Sequence, residues 1–339
     1  MQSKLLPLLL SLCLPALAQT YSITSTIPLG GTGAWDYLLA DSDTRRLYVS
    51  HSSEVDVLDL DTHQVVGKLA GFGFIHGIVI VPSLHTGFLS DGQKNEVVTF
   101  DPATLEIKSH IKTVANPNSM AFDEDTGRLF VGHKPSKSTT VIEAASGKII
   151  GSVPLGGIPE FPVTDGPNLF VNLEDKNEVV KIDTKTLAIR AHFSLAPCTA
   201  PAGLAVDKQH HVLFSACDNK IFTVLSAETG AILAILPSGP GPDAAAFDPT
   251  THLAFSSNGD DGTLTIASQH DANHYRIAQT LKTQEGARTM ALDRKTHTLF
   301  LSTAKLGPPP APTPANPHPP NHPVALPGTF GLLVISPTP

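Results

Sequence analysis

Three residues far apart in this chain have the chemistry to polarise and deprotonate a small substrate. His76 and Glu160 can act as general bases, and Arg288 can hold a carboxylate or a lactone carbonyl. Glu160, Asp243 and Asn118 offer hard oxygen ligands suited to a divalent cation such as Ca²⁺ or Mg²⁺. His51 and His133 could add nitrogen ligands for a softer metal. None of these residues is close to the others in sequence. Any joint chemistry therefore depends on a fold that returns the chain to one place at regular intervals.

The sequence contains such a return. Its clearest copy is Arg46-Leu47-Tyr48-Val49-Ser50, then Val55-Asp56-Val57-Leu58-Asp59, Asp61-Thr62 and Val65-Val66. The small or polar residue closing the first apolar run recurs as Ser50, Ser90, Gly132, Asn172, Ser215, Ser256 and Ser302, at spacings of 40, 42, 40, 43, 41 and 46 residues. Self-similarity at this period marks a repeat array, and four short strands per repeat make a propeller blade. The expected fold is all-β, a seven-bladed β-propeller of four-stranded antiparallel blades filling residues 19–339 as one domain.

The third repeat shows how each strand is specified. Asn118–Phe122, Leu129–Val131, Thr139–Ile142 and Lys148–Val153 are apolar or β-branched runs. Between them lie turn residues, Asp123–Gly127 and Ala144–Gly147, and then Pro154-Leu155-Gly156-Gly157. The last repeat has strands near Arg288–Leu292, Thr298–Ser302 and Phe330–Ile335 and no fourth. Tyr21–Pro28 is an orphan strand followed by Leu29-Gly30-Gly31, the same ending as Pro154–Gly157. It is expected to supply the outer strand of the seventh blade and close the ring.

The first 18 residues read as a secretory signal, with Lys4, an apolar stretch Leu5–Leu14 and Ala16-Leu17-Ala18 at the cleavage point. The expected mature protein is periplasmic or secreted. Of three cysteines, Cys198 and Cys217 then remain, brought together at the open end of a predicted hairpin, and a disulfide between them is expected. The net charge is −8, with no Lys/Arg-rich run, so nucleic acid and anionic membrane are poor partners. No later stretch approaches the ~20 apolar residues of a membrane helix. A monomer is expected.

The run Leu47-Tyr48-Val49-Ser50, Val57-Leu58-Asp59, Thr62 and Val65-Val66 resembles the YVTN repeat of the YncE-like family of exported seven-bladed propellers. The resemblance covers residues 21–336. It implies the fold and no particular ligand. The single tryptophan, Trp35, does not supply the repeated tryptophan docking of the related quinone-dependent propellers, so no such cofactor is expected.

In a propeller, the loops leading into each first strand share one face with the loops joining second and third strands. The first set brings Trp35, Asp36, His76, Asn118, Glu160, Pro201, Asp243 and Arg288 to the mouth of the central channel. The second brings His51, Asp91, His133, Glu174, Asp218 and Asn258. The favoured reading is a binding or interaction scaffold that takes an unidentified protein or small molecule on this funnel face, with no cofactor. The alternative is a metal-assisted hydrolase, lactonase or lyase using His76, Glu160 and Arg288, with any metal on Asn118, Glu160 and Asp243. Residues 307–327 hold ten prolines between the second and third strands of the last repeat. Such a segment favours polyproline II and should emerge on the same face, where His318 and His322 could lend it metal affinity. His210-His211 should lie exposed on the opposite face.

Overall fold

The computed structural model describes residues 19–31, 34–309 and 323–338, and within them seven four-stranded antiparallel sheets form a ring. Blade 1 comprises Leu38–Asp41, Arg46–His51, Glu54–Asp59 and Val65–Ala70. Blades 2 to 6 repeat it, with innermost strands Ile75–Val81, Pro117–Asp123, Pro159–Asp165, Pro201–Asp207 and Pro242–Asp248. Blade 7 takes Arg288–Asp293, Thr298–Thr303 and Gly331–Thr338 from the end of the chain, and Thr20–Pro28 from its beginning. Innermost strands of successive blades touch one another, and blade 7 touches blade 1.

The strand from the beginning of the chain runs antiparallel to the last one from Thr20 opposite Thr338 to Pro28 opposite Gly331. Tyr21 is buried against Phe255 of blade 6, and Ile27 packs with Phe330 and Leu332. The latch is thus held by side chains as well as by its ladder. The sequence signals for residues 1–18 lie outside the described residues, as do His318 and His322. The described ends of the proline-rich segment form a short stem, Leu306–Gly307 with Val324–Ala325, between the second and third strands of blade 7.

Burial follows position in the blade. Second strands such as Arg46–His51 and Val212–Cys217 are apolar on both faces because neighbouring blades cover both. Outer strands such as Lys148–Pro154 are mostly exposed. The recurring small polar residue sits in the buried second strand and ties down the funnel-facing backbone. Ser50 Oγ accepts from the Asp36 N–H at 2.8 Å. Ser90 Oγ accepts from the Gly77 N–H at 2.7 Å and donates to the Asn118 carbonyl of the next blade at 2.5 Å. Asn172 donates to the Ala202 and Gly203 carbonyls. A bulky apolar residue there would leave these buried backbone groups unpaired. At Gly203 the neighbouring innermost strand comes so near that a Cβ would stand 2.4 Å from the Ala244 carbonyl carbon.

Cys198 and Cys217 form a disulfide, with Cα atoms 5.6 Å apart. It joins the loop ahead of blade 5 to the end of that blade's second strand. No described helix is long and apolar enough to cross a membrane.

Candidate functional site

Six of the seven innermost strands begin with a break in register. It falls between Ile75 and Ile78, Pro117 and Met120, Pro159 and Pro162, Pro201 and Leu204, Pro242 and Ala244, and Arg288 and Met290. Bulges of this kind free a residue from the ladder and re-aim its side chain. The residues within them include His76, Asn118, Ser119, Glu160, Phe161 and Asp243. The bulges turn the top of each innermost strand towards the axis and so build the centre of the funnel.

Two aromatic rings form its floor. Tyr37 from blade 1 and Phe161 from blade 4 meet with ring centroids 5.1 Å apart. Blades 1 and 4 are not neighbours, so this contact spans the axis. The Tyr37 hydroxyl bonds to Ser119, and burial together with Asp36, Glu160 and Asp243 raises its pKa well above the usual phenol value.

Four carboxylates from four regions of the chain surround this floor. Asp36 bonds to His76 Nδ1 at 2.5 Å. Glu160 accepts from Lys134 Nζ and lies close to Glu174. Desolvation outweighs the attraction of Lys134 and, with Glu174, pushes Glu160 up to about 8. Asp243 pairs with Arg288 at 3.4 Å, yet keeps 33 % of its side-chain surface open along the channel. Desolvation, only partly offset by Arg288, and the charges of Asp36 and Glu174 raise it to about 6. Three basic side chains, His76, Lys134 and Arg288, therefore face four acids. If all four ionised, acids would outnumber bases; Glu160 and Asp243 instead hold their protons well above the usual carboxylate range.

Other positions on the same face serve the scaffold. Asp91 is fully buried and accepts from the Gly73, Phe74 and Lys94 N–H groups. Asn258 is fully buried among Ser238, Ser256, Thr263 and Thr265. Asp218 holds the Gly241 N–H of the next lead-in loop. His133 is buried, bonds the Ala115 carbonyl and has its pKa lowered by desolvation. Asn118 is buried, as is Pro201 at the foot of a bulge, and Trp35 stacks on Phe330 at 5.4 Å. His51 lies against Phe330 and bonds Asp56, away from His133. Thus Asp36, His76, Glu160, Glu174, Asp243 and Arg288 come together, while His51, Asp91, His133 and Asn258 do not join them.

Among the described residues, the group of three His, Asp or Glu side chains whose ligand atoms gather within 4.8 Å is His51, Glu54 and Asp56. Lys68 Nζ already lies 2.7 Å from Glu54 and 3.2 Å from Asp56. An ammonium group fills the cation's place there. Glu160 and Asp243 belong to no such gathering; each is engaged by its own basic partner.

Tyr37, Lys134, Ser119 and Phe161 complete the site and were not apparent in the sequence as functional positions. One signal pointed to Phe161. It lies between Pro159 and Pro162, and Pro117, Pro159, Pro201 and Pro242 recur at the blade period, each opening a bulge. His210 and His211 lie on the opposite face, paired with Asp207 at 2.5 Å and Asp165 at 2.7 Å. Compared with protein-family models, the chain matches none. Nor does it match any of the curated proteins.

Proposed function

We propose that this chain is an exported, YncE-like, ligand-binding propeller whose funnel holds a small, positively charged molecule. The observation that carries this reading is the convergence of Asp36, Glu160, Glu174 and Asp243 around the paired rings of Tyr37 and Phe161, where burial keeps Glu160 and Asp243 from ionising readily. A bound cation would favour the ionised forms that burial disfavours at Glu160 and Asp243. Rigid loops on a closed ring would present these groups with little reorganisation, so binding costs little ordering entropy. The disulfide accords with an oxidising compartment.

The test is calorimetric titration with 1,4-diaminobutane. Binding that strengthens from pH 5 to pH 8 and is lost in the Glu160→Gln, Asp243→Asn double variant supports the reading. Absence of binding to the wild-type protein at pH 8 would refute it.

The hydrolase, lactonase or lyase alternative is favoured by one observation, the Asp36–His76 hydrogen bond beside a carboxyl pushed up to about 8. A carboxylate that orients a histidine, near an acid poised around neutrality, is the arrangement that general acid–base chemistry uses. His76 Nε2, however, lies beside Gly92: a Cβ built there would be 2.5 Å from both that nitrogen and Asn116 Oδ1. A wild-type lactonase rate abolished by His76→Asn would establish the enzyme reading.

A further inference from the structure

A second cavity opens on the funnel face, of about 650 Å³, a size ordinary for small-molecule sites. It lies between blades 6, 7 and 1 and reaches the stem of the proline-rich segment. Trp35, Leu306 and Val324 give it apolar walls, and Asp260, Glu285 and Arg288 give it a charged rim. Arg288 also pairs with Asp243, so one side chain borders both this crevice and the funnel.

The inner wall of the crevice is apolar, with Trp35 stacked on Phe330 behind it. Leu306, on the stem, is 38 % exposed and turns an apolar surface to the crevice. The charge of the rim has the same sign as that of the funnel, with Asp260 and Glu285 against Arg288.

We infer that the crevice is the second half of one binding site, which takes the apolar body of an amine whose charged head enters the funnel. The ligand class is an amphipathic primary amine: an ammonium group on an alkyl chain or ring. This rests on the funnel reading for its charged end and extends it with a specificity element. The funnel alone would accept any small cation. With the crevice, affinity grows with apolar length once the chain passes Arg288.

The experiment is a titration of the full mature chain at pH 8 with ethylamine, butylamine, hexylamine and octylamine, with octanoate as the anionic counterpart and 1,4-diaminobutane as the head-group control. Each methylene entering the crevice should tighten binding about fourfold, so octylamine, four methylenes longer, should exceed butylamine by on the order of 10²-fold. Leu306→Ser with Val324→Ser should erase that increment and leave 1,4-diaminobutane unchanged; both residues lie on the partly exposed stem, so the core is not disturbed. Equal affinity along the series, with the diamine still bound, would overturn the crevice and leave the funnel reading intact. No binding by any amine would overturn both. Octanoate binding above octylamine would overturn the assignment of an amine, with Arg288 then reading a carboxylate.

Discussion

The two faces of the ring carry the same kinds of side chain to opposite effect. On the face away from the funnel, the acids ending three innermost strands each meet a basic residue from the following blade. Asp165 pairs with His211, Asp248 with His297, and Asp293 with Arg45, at 2.7, 2.6 and 2.8 Å. Each of these acids has its own basic partner, and Arg45 holds Asp61 as well. The same acids also cap their turns: Asp248 accepts from the Thr250 N–H, and Asp293 from the Lys295 N–H. Burial opposes the charge on Asp293, but hydrogen bonds from Ser42, Thr296 and Arg45 outweigh it and hold its carboxyl below the usual range. The hydrogen bond that His211 Nδ1 donates to Asp165 raises the imidazole's pKa. In the funnel, burial wins instead, and Glu160 and Asp243 resist ionisation. Charges that hold blades together are matched in pairs. Charges left to meet a ligand are not.

The latch strand is common to both halves of this contrast, so its removal should have the largest effect. Deleting 20–28 strips the outer edge of blade 7 and exposes the pocket of Tyr21, at a cost of roughly 5 kcal/mol. Thermal unfolding should shift far downwards; an unchanged midpoint would show that the ring does not depend on this seam.

Asp248→Ala should come next, at about 2 to 3 kcal/mol, because it orphans two turn N–H groups and the His297 partner together. Denaturant melts should show the loss while amine affinity stays at the wild-type value. A loss of affinity would mean that the two faces are coupled. Reducing the Cys198–Cys217 bond should cost about as much, near 3 kcal/mol in the chain-entropy picture, and is read by the same melts with and without reductant.

Glu160→Gln should act in the opposite direction. Its folded pKa lies above the ordinary value near 4.5, so the folded state binds the extra proton between about pH 4.5 and 8. Stability therefore falls as pH rises through that window, and the glutamine should remove this fall and weaken diamine binding. A variant no more stable than wild type at pH 8 would show that the carboxyl is not under strain.

The smallest effect belongs to His211. Its raised pKa contributes stability that is full below about 6.5 and is lost as pH rises through its folded value. Asp165→Asn should flatten that part of the profile by a few tenths of a kcal/mol, since the imidazole is half exposed. A change as large as that of Asp248→Ala would break the distinction between exposed and buried pairs.

The parts of this molecule that repeat were legible in the sequence. Ser50 and its six counterparts gave the number of blades, and the shared Pro-Leu-Gly-Gly after Pro28 and at Pro154 revealed the latch. The loops gave the right face for Asp36, His76, Glu160 and Arg288. They could not tell Glu174, which lies beside Glu160, from Asp91, which caps backbone, because both are acids at equivalent turns. Register breaks at Pro159 and Pro242 decide which side chains reach the axis, and a one-residue bulge leaves only a proline as its trace. Tyr37 and Phe161 touch across 124 positions of sequence, a contact that no local pattern encodes.

The pairing of Thr20 with Thr338 also sets an order of events. The earliest described strand, Thr20–Pro28, has no sheet partner until Gly331–Thr338 exists, so six blades can assemble while the seventh waits. Joining ends so distant is the costliest loop closure in the molecule and gains its ladder only at the last step. Until then blades 6 and 1 each present an uncovered flank, and a chain halted anywhere before its closing strand remains an open arc.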